Sequence, residues 1–296
     1  MRTITPSLYQ RVVNRNRRYR ICIVHPEGGG HKGVFEELAE LISASLRELG
    51  FKAQWGYNEI ELGAINIIIG IHLLGHEWHD HLPSNTILIN TEQIGAVRPE
   101  WQQQIMSWLA FGFHGVDYSQ ANITAFAEAG IHNVKHLKIG YQKELARLKP
   151  VAQPTIDVLF YGTLNERREH VIEEMRSAGL KVKHLYDVYG VERDQWLEKA
   201  RIILNMHYFP TQVFESIRVF YPISNGIPVL SEVNSDQIEK NVLTEAVCGV
   251  PYEKLATKAI ELCRSPDALE QLSVSGFKTI KSAPQHRYTA EAFNVN

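Results

Sequence analysis

The residues able to do chemistry fall into two groups, one in each half of this 296-residue chain. The first group opens with Gly28-Gly29-Gly30, followed by His31 and Lys32. Between a strand and a helix, such a run lets backbone N–H groups close on an oxyanion while the helix end adds partial positive charge. It fits neither GxGxxG nor GxxxxGK[ST], which weakens a nicotinamide or ATP reading. A phosphate or sugar loop and a plain tight turn both remain open. Further along come His72 and then Asn90-Thr91-Glu92-Gln93, polar groups that each follow an apolar run.

The second group is denser. Gly162-Thr163 and Asn165 precede a helical stretch whose first turn holds Arg167 and Arg168. Guanidinium groups placed there suit a diphosphate, because they pair with it bidentately. The alternative is two solvent-facing arginines beside Glu166 and Glu169. Residues 202–208 (ILNMHY after Ile202) then deliver Asn205, His207 and Tyr208 from an apolar strand. Glu215 and Arg218 lie one helical turn apart and share a face. Glu215 suits ribose hydroxyls and Arg218 a phosphate, against a plain surface ion pair; Thr211 is placed to cap their helix. Alanine at Arg168 or Arg218 is expected to weaken nucleotide binding with the fold intact.

One rival cluster is HLLGHEWHDH, with His72, His76, His79 and His81 beside Glu77 and Asp80. Metal ligation on a helix reads HExxH, whereas this is HExH after a strand. No metal site is expected; His72 belongs with the other strand-end groups and the remaining histidines with an exposed loop.

These groups need elements to position them. A short apolar run, 21–25, leads through the glycines to an amphipathic helix over 33–49, stopped by Gly50. Strands follow at 51–57, 86–90, 112–116 and 134–139, with helices at 100–111 and 120–129. The unbroken apolar run 65–74 (INIIIGIHLL) reads as a strand buried on both faces. Two prolines mark a linker at 148–154. Alternation then resumes: strands at 157–161, 182–186, 201–206 and 228–232, helices at 167–178, 192–200, 213–224 and 251–263. Helical tail segments follow at 266–280 and 289–294, and the tail could pack back across the hinge. Strands alternating with helices mean parallel βαβ units. The expected fold is α/β: two Rossmann-like doubly wound domains, 20–147 and 155–280, facing across a cleft, with a basic arm over 1–19 and a tail over 281–296. Ligands of open α/β sheets bind beyond the carboxyl ends of the strands, where both groups collect.

Composition narrows the classes. A net charge of -2 with 22% charged residues argues against a nucleic-acid binder, whose domain would be basic. Three separated cysteines, Cys22, Cys248 and Cys263, give no disulfide framework, and with no signal-peptide core or spanning stretch a cytoplasmic protein is expected. Arg2, Arg11, Arg15, Arg17, Arg18 and Arg20 crowd the first twenty residues. They offer either an electrostatic hold on an anionic membrane surface or phosphorylated acceptor, or a solvated arm.

The pattern LN-x-H…E-x-x-R…SNG-x-PV-x-SE, from Ile202 to Glu232, resembles the donor-binding domain of GT-B-fold glycosyltransferases of the group-1-like, surface-polysaccharide and spore-coat branch. FYGTLNERR is similar to the opening of that domain, and INIIIGIHLL followed by TILINTEQ to the acceptor domain. The resemblance implies transfer of a sugar from a nucleotide-diphosphate sugar to an acceptor hydroxyl in polysaccharide, glycoconjugate or natural-product biosynthesis. It implies no cofactor and no divalent metal, with leaving-group charge met by helix ends and basic side chains. Within it, the donor set is Gly162, Thr163, Asn165, Arg167, Arg168, Asn205, His207, Tyr208, Glu215 and Arg218, with Gly28, Gly29 and Gly30 as the phosphate or sugar loop. An inverting enzyme would need a base; His31, His72 and Glu92 are the candidates, Glu92 narrowly first. Many family members carry a ribose-binding glutamate five residues before the glycine matching Gly226, where this chain has Tyr221. An epimerase of the same fold and a non-catalytic bilobed binding protein are the alternatives.

Overall fold

The computed structural model describes residues 16–209, 213–233 and 240–295. The chain divides into two compact units, residues 1–142 with 285–296, and residues 143–284.

In the first unit, six strands form one sheet: β1 (Arg18–Ile23), β2 (Lys52–Tyr57), β3 (Ile65–Ile69), β4 (Ile87–Asn90), β5 (His114–Asp117) and β6 (Val134–His136). Their order is β2-β1-β3-β4-β5-β6, and every pairing is parallel. Helices α1 (Glu36–Glu48), α2 (Pro99–Ala110) and α3 (Gln120–Glu128) make the crossovers. The long apolar run breaks where the sequence hides it. β3 stops at Ile69 because Gly70 adopts a φ of 90°, and a side chain there would meet the Val24 carbonyl at 3.2 Å. A short 3-10 turn, Ile71–Leu73, follows and carries His72.

The second unit begins earlier than the prolines suggest. Residues 143–154 are not a free linker, because their backbone is tied down: the Leu148 N–H donates to Asn225 Oδ1 (2.8 Å) and the Val151 N–H to the Glu198 carbonyl (2.9 Å). Its sheet holds β7 (Ile156–Tyr161), β8 (Val182–Leu185), β9 (Ala200–Asn205), β10 (Val229–Glu232) and β11 (Cys248–Val250), all parallel, in the order β11-β10-β9-β7-β8. Helices α4 (Glu166–Ser177), α5 (Gly190–Leu197), α6 (Ser216–Ser224), α7 (Val242–Ala246), α8 (Leu255–Cys263) and α9 (Pro266–Lys281) connect and flank the strands. The short pair α7 and β11 escaped the periodicity reading, since five and three residues hold too little pattern.

The last helix, α10 (Gln285–Phe293), returns to the first unit. Thr289 meets Ser45 of α1 at 2.8 Å, and His114 Nε2 lies 2.8 Å from the Ala292 carbonyl. Apolar faces of strands and helices fill each core: Ile21, Ile67, Ile69 and Trp108 in one unit, and Val158, Phe160, Ile202 and Phe220 in the other, are each fully enclosed. No described helix is long and apolar enough to cross a membrane. Most of the basic arm lies outside the described residues; within them, Arg18 pairs with Glu61 (2.8 Å) and Arg20 with Glu59 (2.5 Å).

Candidate functional site

In both sheets the chain reverses its direction of growth once, between β1 and β3 and between β7 and β9. Such reversals open a crevice at the carboxyl ends of the strands, and the predicted residues gather there in each unit.

In the first unit, Gly28 takes a φ of 72° and His31 one of 62°, so left-handed residues stand at both ends of the loop that holds the glycines. A side chain at Gly29 would approach Pro26 to 3.1 Å. Helix α1 begins only at Glu36, and its first turn carries Glu36 and Glu37. These carboxylates already complement the helix end, which weakens its pull on an anion. His31 therefore sits on a strained turn, and His72 and Glu92 form a separate pair.

His72 is buried beside Trp101, with ring centroids 4.6 Å apart, and its Nε2 lies 3.7 Å from Glu92 Oε1. That separation is ion-pair range, too long for a hydrogen bond. Burial pushes the Glu92 carboxyl up to about 7 and the His72 imidazole down to about 4. At neutral pH the histidine is uncharged and Glu92 is poised between acid and base. Its backbone is clamped: the Asn90 and Asn122 side-chain amides both donate to the Glu92 carbonyl at 2.8 Å. The other histidines of HLLGHEWHDH lie apart from this pair. His79 stacks on Phe111 at 4.3 Å, and His76 and His81 are exposed. Among the described residues no group of His, Cys, Asp and Glu is arranged to hold a metal ion.

The second unit gathers more charge. Asn165 caps α4 by accepting the Arg168 N–H (3.0 Å) and donates to the Tyr208 carbonyl (3.1 Å). The cap fixes the two arginines of the first turn, which point to different partners. Arg167 grips the fully buried Glu232 with both terminal nitrogens and lies 3.7 Å over the Tyr252 ring. Arg168 is 1% exposed. It donates to the Thr163 carbonyl (2.7 Å) and to the Met206 carbonyl, tying the ends of β7 and β9 together. Neither arginine is the solvent-facing residue that the Glu-Arg-Arg-Glu run allows, because the Asn165 cap turns this face of the helix inward. Arg168 also has a bracing role that the sequence does not display, since the carbonyl of the fully buried Met206 accepts from it.

Arg218 donates to the Tyr161 carbonyl (2.6 Å) and its Nε lies 3.2 Å from Glu215 Oε2. Glu215 also faces Arg168, at 3.9 Å. Gly162 is required for this arrangement: its φ is 137°, and a Cβ would fall 2.5 Å from Arg218 Nη1. Asn205 donates to Ser231 (3.0 Å), while its Oδ1 and both ring nitrogens of the fully buried His207 have no partner among the described residues. Burial holds the His207 imidazole below its usual range, so it is neutral. Thr211, the expected cap of α6, lies outside the described residues, and α6 starts at Ser216 rather than Val213.

Around the departure from the family pattern, Tyr221 is buried and its hydroxyl donates to Asp194 (2.8 Å) and accepts from Arg147 (3.0 Å). Arg193, 5% exposed, lies 5.0 Å over its ring. Sequence reasoning missed this cluster, since Arg147, Arg193 and Asp194 fall in no strand-end motif. Asp117 is legible in the sequence as the strand end Asp117-Tyr118-Ser119, but its partners Asn90 and Asn122 are not.

No family model matches the chain. Three curated relatives are uncharacterized proteins of Acanthamoeba polyphaga mimivirus. L140 is 30% identical over 189 residues, 60% of this chain and 59% of its own length. L138 is 28% identical over 224 residues, 71% of this chain and 24% of its own. The chain thus spans well under two thirds of these relatives. Solved structures align across nearly the whole molecule. AviGT4, a glycosyltransferase involved in avilamycin A biosynthesis, is 15% identical with a TM-score of 0.55, covering 93% of this chain and 97% of its own. HepE of Anabaena, solved with UDP, is 12% identical at 0.55 over 93% and 97%. The BGT of T4 phage, solved with UDP-glucose, is 12% identical at 0.55 over 94% and 97%. With its two parallel α/β units, this chain has the GT-B fold.

Proposed function

We propose that this protein transfers a sugar from a nucleotide-diphosphate sugar to an acceptor hydroxyl, with the donor diphosphate held by the second unit. The carrying observation is a charge imbalance at the reversal point of its sheet. Arg167, Arg168 and Arg218 bring three guanidinium groups, and Glu215 and Glu232 bring two carboxylates. His207 is neutral. Among these five described groups positive charge exceeds negative by one, and partly buried charge in excess favours an anionic ligand. A diphosphate against Arg218 would answer it, with the unpartnered His207 ring and Asn205 Oδ1 available to sugar or phosphate oxygens. The solved neighbours support the reading through their own ligands, UDP in HepE and UDP-glucose in BGT.

The chemistry follows. As the anomeric C–O bond to the diphosphate breaks, its electron pair leaves on the phosphate oxygen, and preorganised guanidinium groups stabilise that charge without reorganising. The acceptor oxygen bonds to the anomeric carbon and its proton passes to a base. Glu92 is our choice for that base, because a carboxyl near 7 is matched to proton transfer at neutral pH. A metal is not required by this scheme, since the arginines carry the charge term.

A thermal-shift panel of UDP, GDP, TDP and ADP against the parent nucleosides tests the proposal, because a ligand of the native state raises the melting temperature by mass action. One diphosphate should stabilise and its nucleoside should not. No shift with any of them would defeat the donor-site reading, and binding without turnover would favour a sensor.

A further inference from the structure

We infer that Asp117 is a positioning residue for Glu92, acting through the side-chain amides of Asn90 and Asn122; this rests on the reading of Glu92 as the base. Asp117 ends β5 and pairs in register with Asn90 at the end of β4. Both are fully buried, and Asn122 in α3 is 1% exposed.

The logic lies in which atoms can donate. An ionised carboxylate only accepts, and Asp117 faces only donors: Asn90 Nδ2 (2.7 Å), Asn122 Nδ2 (3.0 and 3.2 Å) and the Ser119 N–H (2.7 Å). It therefore fixes which way both amides point. With their NH2 groups turned to Asp117, each uses its second hydrogen on the Glu92 carbonyl, at 2.8 Å. The two amide oxygens are left facing backbone donors, and they accept the Glu92 N–H (3.2 Å) and the Ile94 N–H (3.0 Å). Residue 92 is thus held by both its N–H and its C=O. A network that merely ended the strand would not need to grip both.

The Glu92 carboxyl itself takes no part in the network, so Asp117 acts on it only by fixing the backbone beside His72. Burial raises the Asp117 carboxyl as well, to about 7, against the N–H donors that favour the charged form. Among the described residues, His72 is the titratable neighbour within ion-pair range of Glu92.

Asp117→Asn tests this, because its own NH2 would meet donors and free one amide to turn. The full chain is labelled with ¹³C at the glutamate carboxyls, so that Asp117 stays silent, and Glu92 is identified by its loss in Glu92→Gln. In a folded Asp117→Asn, the Glu92 titration should fall from about 7 toward the ordinary glutamate range. Its kcat should drop on the order of 10–100-fold with donor KM little changed, as a misplaced reacting group costs. Asn122→Ala, which removes one arm of the clamp, should move both readouts the same way and decides the matter if Asp117→Asn does not fold. Unchanged Glu92 titration in the folded variant overturns the inference. Should Glu92→Gln keep full activity, the base reading fails, yet the titration still reports whether Asp117 positions Glu92.

Discussion

Replacing Arg168 separates a brace from a ligand. Arg168→Met keeps most of the buried volume but removes the donors to the Thr163 and Met206 carbonyls. The orphaned Met206 carbonyl is fully buried and costs about 1–3 kcal/mol, whereas the exposed Thr163 carbonyl can turn to water. Arg168→Ala adds a cavity, because the side chain is among the largest that are fully enclosed, and a further ~2 kcal/mol is reasonable for that. For a unit of this size, 4 kcal/mol corresponds to a melting-temperature loss of about 8–16 °C. Urea unfolding followed by circular dichroism is the assay, with Arg218→Ala as the comparison: its partly exposed side chain gives up one carbonyl contact and should lose less. An Arg168→Met variant within about 0.5 kcal/mol of wild type would refute the reasoning, because the Met206 carbonyl would then have found another partner.

Three further predictions follow from the same geometry. Gly162→Ala forces a side chain into left-handed backbone, costing about 1–3 kcal/mol, and pushes Arg218 aside, so nucleotide affinity should fall more than stability; unchanged affinity in calorimetry would count against Arg218. Asn165→Ala removes the cap of α4 and should cost about 1 kcal/mol in unfolding free energy. Glu92→Gln should lower kcat by roughly 10²–10⁴-fold. Because the base works deprotonated and its carboxyl is raised to about 7, the wild-type rate should fall as pH drops through that value, and a profile flat down to pH 5 would remove Glu92 from the mechanism.

Much of the architecture was legible because both sheets are parallel and their central strands are buried on both faces. Ile202, Ile203 and Leu204 carry no alternation to confuse, and polar residues begin where each strand stops. Gly70 hid a strand end inside an apolar run, since no hydropathy change marks a backbone turn. The proline stretch read as a linker because composition does not show that Leu148 and Val151 find acceptors in the second unit. At the site, Arg167 and Arg168 were visible as residues, but consecutive arginines on a helix diverge by about 100°, and only packing shows one on Glu232 and the other on two carbonyls. Tyr221 illustrates the same limit. Its type announced a departure, while the Asp194 and Arg147 that fix it come from α5 and from the segment before β7.

Isothermal titration of the full chain with UDP, GDP, TDP and ADP, each beside its nucleoside and at two salt concentrations, tests the diphosphate role of the arginine cluster most directly. The account predicts that one diphosphate binds, that its nucleoside binds far more weakly, and that added salt erodes the difference. Equal binding of diphosphate and nucleoside, or no binding of any diphosphate, would contradict it.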